Sequence, residues 1–404
     1  MNVKSTSTNP QTYELAIVGG DGIGPEVCGA ALQVIKAAVG SNRVLTCIDY
    51  EAGADCYTRT GIAFPDETLE GCKKADAILH GAAGLPGVLY PDGTEAGQDF
   101  TLQLRMALDL YANVRPIKLY DGVSSALKGR GPGDIDYVIV RENTEGLYAS
   151  RGGGVVLGDE VATDILMVTR KGVERIVRFA AELARSRNGA PADGVRRVTI
   201  VDKSNVLRSF ALFRKIADRV MEEYPDIEVD YALTDAMAVY MIERPDTFDV
   251  VVTENFVGDL LSDLGAATIG GMGMAAAAEI GDRFGYFQAS HGTAPDIAGK
   301  GIANPIATIL SGAWMLEWLG QKNNDNFLIE AANRIRRSTS STLISGDALT
   351  TDTGGTASTA DCVKAIIDSL AHDGKCQICL LTQCHLATTD FERSKTPQKR
   401  HAEE

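Results

Sequence analysis

Between Glu14 and about Leu370, short apolar runs alternate with stretches of helical periodicity, which restricts the chain to a layered α/β architecture. A run of four to eight apolar residues closed by turn residues suits a strand buried on both faces. Residues 15–18, ended by Gly19-Gly20, form the first such run, and 77–79, 137–140, 198–201, 227–232 and 249–253 repeat it. Helices are expected over 25–39, 100–111, 171–187, 207–224, 257–267, 306–319 and 326–337. Pro25 fits the first turn of its helix, where a missing N–H costs nothing. A chain of 404 residues has room for two medium domains or one large α/β unit.

Composition narrows the partners. The formal charge of −15 weighs against nucleic acid or an anionic membrane. No apolar run approaches the roughly 20 residues of a bilayer span, and residues 1–14 lack the apolar core of a signal peptide. A cytoplasmic protein is the expectation. Cys28, Cys47, Cys56, Cys72 and Cys362 are scattered as reduced thiols would be. Cys376, Cys379, Cys384 and His385 cluster near the end; without a second ligand pair at finger spacing they read as incidental thiols in a tail.

A net-acidic protein holds an anionic substrate by concentrating arginines in one cleft. Arg105 lies in an expected helix, Arg115 follows it, and Arg141 closes an expected strand. Guanidinium forks at such element ends suit carboxylates, which they bind bidentately. Asp259 and Asp263, four apart, share a helix face, and Asp235 stands at a strand-to-helix junction. Three carboxylates without interleaved lysines make an oxygen site suited to Mg²⁺ or Mn²⁺. Tyr148 and Lys203 are the proton-handling candidates. The glycine loop Gly20-Asp21-Gly22-Ile23-Gly24 turns a strand tightly into a helix, but its spacing is not the dinucleotide fingerprint G-x-G-x-x-G.

In order, GDGIGPE (20–26), YANVRP (111–116), RENTEGLY (141–148), DKSNVL (202–207), NFVGDLLSD (255–263), HGTAPDIAGKGIANP (291–305) and DTGGTA (352–357) resemble the β-decarboxylating dehydrogenases, the isocitrate, isopropylmalate, homoisocitrate and tartrate/D-malate enzymes. The resemblance implies an isopropylmalate dehydrogenase-like α/β fold, with a mixed sheet flanked by helices rather than a Rossmann fold. Residues 1–110 and 270–404 would form a discontinuous cofactor-side domain, and 111–269 a second domain carrying the dimer interface. It also implies that Arg105, Arg115 and Arg141 grip substrate carboxylates, that Asp235, Asp259 and Asp263 hold the metal, and that Tyr148 and Lys203 are the acid–base pair. Lys203 and Asp235 would act on the neighbouring subunit of a homodimer. Lys203 would remove the C2 hydroxyl proton of a small (2R)-hydroxy dicarboxylate, hydride would pass to the cofactor, and Tyr148 would protonate C3 after loss of CO₂.

By the same resemblance, His291, Gly292, Ala294, Asp296, Ile297 and Asn304 contact the cofactor. A carboxylate at Asp296, where NADP-using relatives place a lysine, favours the ribose hydroxyls of NAD over a 2′-phosphate. Gln288 departs from the family, which commonly has glutamate three residues before the histidine. The residues ahead of Arg105 read the C3 substituent. Asp99 is expected to repel a third substrate carboxylate, Leu102 and Phe100 to line a modest apolar pocket, and Thr101 to tolerate a hydroxyl. These features favour 3-isopropylmalate or another 3-alkylmalate, with D-malate or tartrate and then isocitrate as alternatives. A non-catalytic regulatory subunit would be expected to have lost part of the arginine, aspartate, lysine and tyrosine set, and all eight are present.

Overall fold

The computed structural model describes residues 11–150 and 153–372; the cysteine cluster at Cys376, Cys379, Cys384 and His385 lies outside them. The strands are β1 (Thr12–Gly20), β2 (Val44–Asp49), β3 (Ala77–Ala82), β4 (Ala112–Lys118), β5 (Asp136–Glu142), the short β6 (Val156–Leu157) and β7 (Val161–Ala162), β8 (Arg197–Asp202), β9 (Glu228–Leu233), β10 (Val250–Thr253), β11 (Ala276–Ile280) and β12 (Gly285–Ala289). The α-helices are α1 (Gly24–Val39), α2 (Ala54–Thr60), α3 (Asp66–Lys74), α4 (Gln98–Ala107), α5 (Gly146–Ala149), α6 (Arg170–Ser186), α7 (Arg208–Met221), α8 (Thr234–Glu243), α9 (Asn255–Thr268), α10 (Ile306–Asn323) and α11 (Asn326–Ser345). A further helix begins at residue 359.

Ten strands form one mixed sheet in the order β2-β1-β3-β12-β11-β4-β5-β10-β8-β9. Pairing is antiparallel along β12-β11-β4-β5 and parallel on either side. The first five strands in that order come from residues 12–82 and 276–289, and the other five from 112–253. Strands such as β3 and β10 are buried along their whole length, as a sheet covered on both faces requires. On α6 the buried Val173, Ile176, Val177, Ala180, Ala181 and Ala184 form one stripe, which packs on β5, β8 and β10. Helix α10, apolar on nearly every side, sits between α1, α11 and the sheet.

One expected helix ends early, and one strand was not expected. The helix expected over 100–111 ends at Ala107, because Asp109 turns into the left-handed region (φ 49°) so that the chain can enter β4. The sequence gives no strand signal for β4, since it contains Pro116. Strand β11 covers only Ala112–Val114, so Pro116 has a strand neighbour on the β5 side alone. Cys28, Cys56, Cys72 and Cys362 are buried free thiols, and Cys47 is a half-buried one. Among the described residues, no helix is long and apolar enough to cross a membrane.

Candidate active site

The middle of the sheet delivers charged side chains to one cleft of about 340 Å³. Strand β3 ends there at Ala82, α4 supplies Gln98, Thr101, Leu102 and Arg105, and β4 and β5 supply Arg115 and Arg141. Tyr148 comes from α5, Asp259 from α9, and residues 288–292 from the end of β12 and the loop after it. The three arginines expected from sequence therefore converge, and all are buried.

Each guanidinium has its own partners. Arg105 donates from Nε (2.8 Å) and Nη2 (2.6 Å) to both oxygens of Glu279. Arg115 donates from Nη1 to Ser262 at 2.8 Å and lies 3.4 Å from Asp263 and 3.5 Å from Asp259. Arg141 holds Oδ1 of Asn255 with Nε (3.0 Å) and Nη2 (2.7 Å) and meets Asp259 with Nη1. Burial, and then the charge of Arg115, pull the Arg141 pKa down to about 10, which leaves it protonated at neutral pH. Asp259 is held below the usual carboxylate range: burial works against its charge, but Arg141 and Arg115 outweigh it. Tyr148 donates to Asp259 at 3.0 Å, and burial followed by that carboxylate raises its pKa, so it stays a proton donor.

Asp263 projects from the same face of α9 as Asp259, with a side chain 57% exposed. Asp235 and Lys203 lie elsewhere. They pair with each other at 2.5 Å, with side chains 71% and 30% exposed, and neither lines the cleft. Among the described residues, no three His, Cys, Asp or Glu groups gather as a metal site. One chain thus presents two of the three expected metal carboxylates together. Two hard oxygen donors on one helix face suit a divalent cation as an incomplete set that a third carboxylate would close.

The expected cofactor residues follow the cleft. Nε2 of His291 and Oγ of Ser290 are buried without a partner beside it, and an added Cβ on Gly292 would meet nothing. The glycine loop supports this segment: Ile23 N–H donates to Thr293 O at 2.8 Å, and a Cβ on Gly22 (φ 58°) would lie 2.1 Å from that oxygen. Ala294 is in the left-handed region (φ 37°), which turns the loop back along α1. Asp296 is exposed and bonds to no group among the described residues. Ile297 packs on Ile23, Val27 and Ala303. Asn304 is already engaged: its Oδ1 accepts from Ile306 N–H at the start of α10, and its amide donates to Asp352.

Of the residues expected to read the substituent, Thr101 and Leu102 line the cleft. Asp99 does not. Its carboxylate accepts from Tyr90 (2.8 Å), Gly97 (3.2 Å) and Gln103 (2.8 Å). Phe100 is fully buried in the core, against Phe64 and His80.

A model of the family "Isocitrate/isopropylmalate dehydrogenase" matches residues 14–366. The chain belongs to this family. The 3-isopropylmalate dehydrogenase of Corynebacterium glutamicum strain R is 45% identical over 317 residues, 77% of this chain and 89% of that one. The 3-isopropylmalate/3-methylmalate dehydrogenase of Methanocaldococcus jannaschii is 44% identical over 356 residues, 88% and 98% of the two chains. Among solved structures, isocitrate dehydrogenase from Methylococcus capsulatus superposes with a TM-score of 0.77 at 38% identity, covering 89% of this chain and 99% of its own. With its family, the chain is a decarboxylating dehydrogenase acting on a CH–OH donor.

Sequence reasoning assigned no role to His80, which lines the cleft, or to Asn255 and Glu279, which bond its arginines. Asn255 opens a motif and was legible as such, but Glu279 and His80 gave no signal. His80 is fully buried on β3, stacked on Tyr286, with Nδ1 2.7 Å from Val18 O and Nε2 unpartnered. Burial drives its pKa down to about 4, so the folded protein keeps it neutral. The unfolded chain then binds more protons between pH about 6.5 and about 4, so stability falls as pH falls through that window, by up to about 3 kcal/mol. In His80→Leu, the loss of unfolding free energy between pH 7 and 4.5 should shrink by most of that amount in urea titrations. An unchanged pH dependence would show that His80 does not carry it.

Proposed function

We propose that the chain catalyses NAD-dependent, metal-assisted oxidative decarboxylation of a (2R)-hydroxy dicarboxylate of the malate type. The best substrate is 3-isopropylmalate or another 3-alkylmalate, giving the 2-oxo acid, CO₂ and NADH. The observation that carries this reading is the convergence of three buried arginines, Tyr148 and Asp259 on one cleft. Guanidiniums at its wall suit substrate carboxylates. Half-buried Thr101 and Leu102 suit a small, mainly apolar C3 substituent. Relatives named for isopropylmalate and methylmalate support the same choice.

Asp259 and Asp263 would hold the divalent ion together with Asp235 of a second copy of the chain. When bound, Mg²⁺ or Mn²⁺ supplies Lewis acidity at the C2 oxygen and NAD supplies the hydride acceptor. The arginines fix the substrate so that its C2 hydroxyl faces Lys203 from that second copy, which takes the proton. Tyr148, kept protonated, delivers a proton to C3 after CO₂ has left. The two halves of the sheet would be the two domains, 1–110 with 270–404 and 111–269, with the cleft between them. Exposed Val239 and Ile242 on α8 and Phe256 and Leu260 on α9 support a homodimer that buries this face.

The test is NADH formation at 340 nm with Mg²⁺ or Mn²⁺ on 3-isopropylmalate, D-malate, tartrate and isocitrate, each with NAD and NADP. Turnover of a dicarboxylate with NAD is expected; a folded, metal-loaded dimer inactive on all four would overturn the reading. Asp296→Ala should narrow the preference for NAD over NADP by about tenfold or more, because it removes a carboxylate that accepts from ribose hydroxyls and repels a 2′-phosphate. A preference that does not move would place the adenosine ribose elsewhere.

A further inference from the structure

Glu279 has no part in that reading, yet it is the most heavily bonded carboxylate near the cleft. It stands on β11 with no exposed surface. Besides both contacts from Arg105, it accepts from Gln288 (2.8 Å), Asn143 (3.0 Å) and Asn113 (3.3 Å). Burial opposes its charge, but Arg105, together with Asn143 and Arg115, outweighs burial and holds its pKa below the usual range. Two consequences follow from the geometry. The Nε–Nη2 edge of Arg105, one that would bind a carboxylate bidentately, is already filled. The three guanidiniums of the cleft are also matched by three carboxylates, Glu279, Asp259 and Asp263.

We propose that Glu279 is a specificity-determining residue, limiting the cleft to substrates with two carboxylates by neutralising Arg105. The proposal rests on the malate-type reading and adds the charge class. Two substrate carboxylates match the charge of one divalent ion. A third, carried on the C3 substituent, would enter a cleft in which, among the described residues, each lining arginine already has a carboxylate partner, Arg105 a fully buried one. Asp99, the residue expected from sequence to repel it, is turned away to Tyr90 and Gln103. Gln288 reinforces the arrangement, since its amide donates to Glu279 where a carboxylate would repel it.

The test compares 3-isopropylmalate with isocitrate on the wild type, Glu279→Gln and Glu279→Asp. Binding is read by titration calorimetry without added metal, and kcat/KM with it. The wild type should bind isocitrate at least about tenfold more weakly, a difference of about 1.4 kcal/mol. Glu279→Gln should shift the ratio toward isocitrate by about tenfold or more, and Glu279→Asp, which keeps the charge, should preserve it. A merely structural role would weaken both ligands alike and leave the ratio in place, which would overturn the proposal. So would a wild type that binds both equally, a result that needs no variant to fold. A wild type inactive on every malate removes the malate-type reading itself; an active one with an unmoved ratio removes only the role of Glu279.

Discussion

Lys203→Met is expected to lower kcat by about 10²–10⁴-fold, the contribution of a positioned general base, while the melting temperature stays within about 2 °C. The side chain is partly exposed and its partner Asp235 more so, and a surface pair of this kind adds little to stability. Neither residue lines the cleft of its own chain, so the reading requires a second copy to bring them there. That is testable by mixing. On this reading, Lys203→Met and Asp259→Asn subunits should each be nearly inactive as homodimers, while in a mixed dimer one site would hold both lesions and the other neither. Random reassociation should then recover about a quarter of wild-type activity, as expected for closed two-fold dimers. Recovery no greater than the sum of the parents would mean that Lys203 does not act across an interface.

Most of the architecture was legible because burial leaves a period in the sequence. The α6 stripe and the three successive valines of β10 could be read directly. Other elements escaped for definite reasons. β11 is three alanines, a glutamate and an isoleucine, which carries little strand signal, and β4 contains a proline that only the short reach of β11 makes tolerable. On α8, buried Met237 and Met241 share the helix with exposed Val239 and Ile242, so its apolar residues show no single face.

The site divides in the same way. Arg105, Arg115, Arg141, Tyr148 and Asp259 were legible by residue type and position, and the structure brings them together. The Arg105–Glu279 pair was not, because its members lie 174 positions apart and meet only through a sheet order that no local pattern reveals. Asp99 was misplaced by the opposite error. It sits in the right helix, but its carboxylate is claimed by a turn, through Tyr90 and Gly97, before it reaches the cleft.

Arg141→Lys should behave unlike Lys203→Met, with kcat/KM falling by at least about 10²–10³-fold and the melting temperature falling by several degrees. Arginine uses three nitrogens here, two on Asn255 and one on Asp259, all from a side chain 1% exposed. An ammonium is a single point and cannot fill that fork, so either the buried Asn255 oxygen loses its guanidinium donors or Asp259 keeps only Tyr148 and the longer Arg115 contact. Breaking a buried charge pair costs about 3–5 kcal/mol, and each 1.36 kcal/mol is about tenfold in rate. The neighbourhood offers no slack. A methyl on Gly258 would come within 2.7 Å of Arg141 Cβ and Cγ, so α9 is seated directly on this side chain and carries Asp259 with it. Melting curves and steady-state kinetics on the one variant decide the matter. Loss of both places Arg141 at the joint between substrate and α9; more than a tenth of wild-type kcat/KM retained would show that the guanidinium does not hold the substrate.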